Sequence, residues 1–152
     1  MTREVALGEL HELAGQDLGV SAWVEVTQER INEFAEATGD HQWMHVDVPR
    51  AERERGGTIA HGLLILSLLP LLSDELMRVT GYTHGFSYGY DHVRFSSPVK
   101  TGSRIRLRQK ISSVEPRKEG LLVKVSCVME IENQERPALV AENLSVYYGG
   151  AG

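Results

Sequence analysis

Apolar residues fall at every second position through the last third of the chain and at every third or fourth near its start, and these two periods separate strands from helices. The period of two is clearest in Val123-Lys124-Val125-Ser126-Cys127-Val128-Met129-Glu130-Ile131, whose odd positions are all apolar. Strands are predicted over Ser87 to Ser96, Arg104 to Ser113, Leu121 to Ile131 and Ala138 to Tyr148, with Pro98, Gly102, Pro116, Gly120, Asn133 and Pro137 between them where antiparallel turns are needed. Upstream, Ala22 to Val26 reads as a strand. Thr27 then suits an N-cap, Ile31, Phe34, Ala35 and Thr38 mark one helical face, and Gly39 is a C-terminal stop. A short helix over Pro49 to Arg55 is capped by Asp47, and Gly56-Gly57 breaks the chain.

The stretch Leu63 to Leu72 is apolar except for Ser67, and it predicts a helix from Gly62 to Val79 kinked at Pro70. A membrane span needs about 20 apolar residues, so this run is too short. A helix apolar on all sides is wrapped by other protein. One strand, two helices, the apolar helix and a run of strands therefore predict an α+β fold in which a sheet curls around the apolar helix. No repeat or composition break divides the 152 residues, so a single domain over residues 1–152 is expected, with Gly149-Gly150-Ala151-Gly152 as a flexible end.

Charge narrows the partners. A formal net charge of −5 supplies no basic face for DNA or RNA. The lone cysteine, Cys127, cannot form an internal disulfide and lies in the alternating run, where a thiol packs as a small hydrophobe. Met1-Thr2-Arg3-Glu4, with no basic region followed by an apolar segment, is not expected to open a secretory signal. A cytoplasmic protein without a membrane span is expected.

Chemistry concentrates in Gly39-Asp40-His41-Gln42-Trp43-Met44-His45 and in Thr58-Ile59-Ala60-His61-Gly62. Asp40 and His45 sit just beyond a helix, on an irregular segment that can project them into a cleft; a carboxylate and an imidazole suit proton transfer to and from water. Spacing alone leaves equal room for Asp40 as a turn cap and His45 as a hydrogen-bonded core histidine. Asp40, His41, His45, Asp47 and His61 offer metal ligands; His41 and His45 stand at HxxxH spacing, but no HExxH motif is present and no metal is expected. Gly62 opens the apolar helix, where backbone N–H groups can hold a carbonyl oxygen that becomes negative. Taken alone, Gly62 reads first as a position that allows tight helix packing, and His61 as a simple cap.

Three blocks in order, Phe34-x-x-x-x-Gly39-Asp40-x-x-x-x-His45-x-x-x-x-x-Ala51, Ile59-Ala60-His61-Gly62-Leu63 and Val93-Arg94-Phe95-x-x-Pro98-Val99-x-x-Gly102, resemble the MaoC-like (R)-specific enoyl-CoA hydratase family over roughly residues 15 to 148. The resemblance implies the hotdog fold, an antiparallel sheet wrapped around a long central helix, and a homodimer. It implies that Asp40 and His45 hold the water added to an enoyl thioester and that the Gly62 N–H meets the thioester oxygen, with Ile59, Ala60, His61 and Gln42 around the substrate. The acyl thioester, of coenzyme A or a carrier protein, is the partner, and no separate cofactor is implied. Where the family commonly has Asn-Pro, this chain has Gln42-Trp43, a form closer to the NodN-like branch; Gln42 retains an amide donor. A serine frequent in the family's central helix falls near Pro70, and its role is not carried over.

The expected reaction is interconversion of a trans-2-enoyl-CoA and an (R)-3-hydroxyacyl-CoA. Its rivals are a hotdog thioesterase and a non-catalytic acyl-thioester binding module. Arg104, Arg106, Arg108 and Lys110 alternate as a solvated strand face would, with coenzyme A phosphates as the alternative. Tyr82, Phe86, Tyr88 and Tyr90 suit either an acyl entrance or edge-strand packing.

Overall fold

The alternating segments fold as four long antiparallel strands, β5 (His84–Phe95), β6 (Arg104–Arg117), β7 (Gly120–Ile131) and β8 (Leu139–Tyr148). In the computed structural model, which describes residues 2–149, they form a sheet of order β2-β6-β7-β8-β5, with β2 (Asp17–Val20) on one flank and β3 (Val24–Glu25) also paired to β6. Apart from Gly149, the glycine-rich tail expected to be flexible lies outside the described residues. The register sets Leu107 opposite Met129 and Cys127 opposite Ala141, so one period-two face of each strand is buried together. Burial pushes the Cys127 thiol up from its ordinary pKa, as expected of a thiol packed as a hydrophobe.

That buried face lies on the apolar helix, which departs from the expected single kinked rod. It is two pieces, α4 (Gly62–Ser67) and α5 (Leu69–Leu76). The break falls at Leu68 instead of Pro70: proline tolerates the first turn of a helix but not its interior, so the ladder resets upstream and Pro70 occupies the opening of α5. Leu68 N–H is shared between the carbonyls of Leu64 and Ile65, at 3.1 and 3.3 Å. Leu64, Ile65, Leu68, Leu69, Leu72 and Leu76 are buried against the sheet. No helix among the described residues is long and apolar enough to cross a membrane.

Residues 77–79 leave the predicted helix. Met77–Thr80 is a strand, β4, paired in parallel with β1 (Arg3–Ala6), with Val5 opposite Val79. A partner more than 70 positions away overrides local helical periodicity here. A 3-10 helix over Leu7–Leu13 follows β1 and buries Leu10 and Leu13.

The alternating arginines face outward into cross-strand ion pairs. Arg104 meets Glu132, and Arg106 and Arg108 both meet Glu130, at 2.6 and 3.0 Å. Partial burial raises the Glu130 carboxyl, but hydrogen bonds from the two guanidinium groups outweigh it and hold the pKa below its ordinary value. Arg106 also covers the Trp23 ring at 4.4 Å. The solvated-face reading thus holds. The aromatics of β5 and of the turn before it pack along the strand: Tyr82 of the turn against Tyr147, Phe86 against Tyr148, and Tyr88 beneath Arg117.

Candidate active site

Two helix ends and one extended segment build the site. Helix α1 (Gln28–Thr38) starts where Thr27 Oγ1 accepts from Arg30 N–H, and ends at Gly39, which is left-handed at φ 84° and donates to Ala35 O at 2.8 Å. A side chain there would be strained, so glycine permits the reversal that releases Asp40 from the helix axis. Asp40 Oδ1 accepts from Gln42 N–H at 3.3 Å, a local turn of the kind aspartate favours. The next residues are helical, α2 (Trp43–Val46), so His45 stands on a short helical turn and not on an irregular segment. A third helix, α3 (Val48–Arg55), follows, capped as expected by Asp47, whose Oδ1 accepts from Arg50 N–H.

His45 is 8% exposed and fixed on three sides. Its Nδ1–H donates to Ile59 O at 2.7 Å, Ile59 N–H returns to Met44 O at 3.0 Å, and Gln28 Nε2 donates to His45 O at 2.8 Å. Because a carbonyl only accepts, Nδ1 carries the proton and the neutral ring keeps its lone pair on Nε2. Gln28 is held by Thr58, whose hydroxyl donates to Gln28 Oε1 at 2.6 Å and contacts Thr101 Oγ1. Gln28 was missed in the sequence because a glutamine in a first helical turn carries no signal of its own.

The segment before α4 runs as an extended stretch: Ile59 bridges Lys100, and buried Ala60 donates to Val99 O at 2.8 Å. This delivers His61 and Gly62 to the same wall as Asp40 and His45. His61 makes no side-chain cap bond to its helix, which corrects the simple-cap reading. Its ring instead turns back, contacts Asp40 O through Nε2 at 3.0 Å, and stacks on His45 with centroids 3.8 Å apart and planes at 23°. The Gly62 and Leu63 N–H groups precede the first helical bonds, from Leu64 and Ile65 to His61 O, and so are the leading donors of α4. A Cβ at Gly62 would stand 2.9 Å from Phe95 Cδ1, so close packing also demands glycine there.

Asp40, His45, Ile59, Ala60, His61 and Gly62 all line one cavity of about 600 Å³, closed further by apolar Phe34, Leu63 and Phe95. Gln42 does not: its side chain is exposed, and only its backbone enters the turn beside Asp40. His41 lies outside, 3.6 Å from Glu36. Among the described residues, Asp40, His45 and His61 bring ligand atoms within 4.8 Å of one another. With both histidine N–H groups held by carbonyls the set resembles a metal site's outer shell, but near-parallel stacked rings cannot both direct an in-plane lone pair at one ion. The same lone pairs suit a water molecule, since hydrogen bonds tolerate wider angles. A carboxylate and an imidazole lone pair at an apolar-walled cavity can orient water and take a proton from it, and the start of α4 offers donors to a developing oxyanion.

The MaoC like domain model matches residues 9–132. The chain is 43% identical over 144 residues to a 3-hydroxyacyl-thioester dehydratase Z of Mycobacterium tuberculosis, covering 93% of this chain and 95% of that protein. It is 46% identical over 147 residues to a nodulation protein N of Rhizobium leguminosarum bv. viciae, covering 94% and 91%. Among solved structures, an R-hydratase from Pseudomonas aeruginosa superposes with a TM-score of 0.72 over 90% of this chain and 82% of that one; at 19% identity the likeness carries the hotdog fold.

Proposed function

The chain belongs to the MaoC-like domain family, and from that premise we propose that it is a hydratase/dehydratase of acyl thioesters, interconverting a trans-2-enoyl-CoA and an (R)-3-hydroxyacyl-CoA. The observation that carries this reading is the meeting of the Asp40 carboxylate with the His45 ring at a cavity wall shared with the first residues of α4. Water binds between Asp40 and His45. One O–H bond breaks toward this pair as the oxygen bonds to the β-carbon of the thioester. The π electrons of the double bond move toward the thioester oxygen, which the Gly62 N–H stabilises. The pair then returns the proton to the α-carbon, leaving the protein unchanged. Water is the only co-reactant, so the proposal needs no metal and no redox cofactor, and we place the reaction in the cytoplasm.

The test is incubation of the protein with crotonyl-CoA. Loss of the conjugated double bond with formation of (R)-3-hydroxybutyryl-CoA and no free thiol is expected. Release of coenzyme A would replace this reading with a thioesterase. Binding without turnover, unaffected by Asp40→Asn, would replace it with a non-catalytic module.

We also propose a homodimer joined along β5. This twelve-residue strand lies at the end of the described sheet and exposes Phe86, Tyr88 and Phe95; a long apolar edge is a template for another strand. Phe95 links the edge to the cavity through its contact with Gly62. Sedimentation at micromolar concentration is expected to give twice the chain mass, and a monomer there would overturn the pairing.

A further inference from the structure

His61 is buried, at 3% exposure, yet only one of its ring nitrogens has a partner. Nε2 lies 3.0 Å from Asp40 O, and since that carbonyl only accepts, Nε2 carries the proton. Nδ1 therefore holds a lone pair, and it is a buried side-chain nitrogen without a hydrogen-bond partner among the described residues. Leaving such a group unpaired is costly, and a site that retains one calls for an explanation. The environment supplies one. His61 lines the same cavity as Asp40 and His45, has a ring nitrogen within 4.8 Å of ligand atoms of both, and is confined by stacking on His45 and a tilted contact with Phe34 at 58°.

Hydration uses the two hydrogens of water differently. One leaves for the Asp40–His45 pair; the other stays on oxygen and becomes the hydroxyl hydrogen of the product. A water held by only one hydrogen still pivots about that bond, whereas a second acceptor fixes which lone pair faces the β-carbon. We propose that His61 is a further catalytic residue whose Nδ1 accepts the retained hydrogen, first of the reacting water and then of the product's 3-hydroxyl. This rests on the hydration reading above. His61 neither takes nor gives a proton in the step: the bonds that break and form are those already described, and the His61 contact persists from water to alcohol. Meanwhile Nε2–H holds the Asp40 backbone, so a single ring sets both the carboxylate and the water it acts on.

The assignment predicts an asymmetry that a purely structural histidine would not produce. An enoyl thioester has no hydroxyl for His61 to hold, whereas a 3-hydroxyacyl thioester does. In His61→Gln, the amide nitrogen can keep the Nε2 contact to Asp40 O while the Nδ1 acceptor is lost. Hydration of crotonyl-CoA is then expected to lose about 10-fold in kcat with KM unchanged, and dehydration of (R)-3-hydroxybutyryl-CoA to lose the same factor chiefly as a raised KM. The fixed equilibrium constant requires kcat/KM to fall equally in both directions. His61→Asn, which keeps a polar atom at the Nδ1 position, should retain more activity than His61→Gln. Independently of folding of the variants, nitrogen NMR of the labelled wild type should find His61 neutral, protonated on Nε2 and bare on Nδ1. A proton on Nδ1, full activity in His61→Gln, or equal KM effects on the two substrates would overturn the proposal. An inactive wild type with the expected tautomer would instead sink the hydration reading and this assignment with it.

Discussion

Asp40→Asn is expected to lower kcat for crotonyl-CoA hydration by about 10³-fold, within the span that positioned acid-base groups supply, while KM stays within a few-fold. The substitution is nearly isosteric, and the amide oxygen can still accept from Gln42 N–H, so the turn after Gly39 and the Asp40 carbonyl contact to His61 are preserved. What disappears is the ability to take a proton from water. An unchanged circular dichroism spectrum with a collapsed kcat separates loss of chemistry from loss of fold, and a folded variant with full activity would remove Asp40 from the mechanism. His45→Gln should fall in the same direction, since the imidazole lone pair on Nε2 is lost.

The second large effect lies in the scaffold. Leu72 is fully buried on α5 beneath the sheet, and Leu72→Ala is expected to cost about 3 kcal/mol through lost burial and a residual cavity. For a chain of this size that lowers Tm by roughly 6 to 12 °C. Leu71, one position earlier and 53% exposed, is the control: its alanine variant should change stability by no more than about 0.5 kcal/mol. Equal losses at the two positions in thermal unfolding would mean that α5 does not present this face to the sheet.

What could be read from the residues was what they specify locally. Thr27 and Gly39 bound α1 as expected because an N-cap and a left-handed stop act within a few residues. The alternation through β6, β7 and β8 was readable because one face of each is buried. β4 was lost to the predicted helix because its partner, β1, comes from the opposite end of the chain. The α4–α5 break falls at Leu68, two residues before the Pro70 position that a simple proline rule gives. At the site, residue type made Asp40, His45 and Gly62 candidates, and only the family resemblance favoured a catalytic reading over a structural one. The tautomers of His45 and His61 were not, because they are set by the carbonyls of Ile59 and Asp40 across the fold. Gln42 pointed inward only by analogy with the amide it replaces. Its position at the head of α2 turns the side chain to solvent.

The discontinuity at Leu68 separates two demands that an unbroken rod would have joined. α4 carries Gly62 and Leu63 at the cavity and also buries Leu64 and Ile65, whereas α5 carries Leu69, Leu72 and Leu76 into the core. Small tilts of the front segment need not be transmitted to the rear one. Substitutions at the cavity end of α4, at exposed Leu63, can therefore reshape the acyl opening without eroding the anchorage that α5 supplies, so the shape of that opening and thermal robustness are partly separable in this chain.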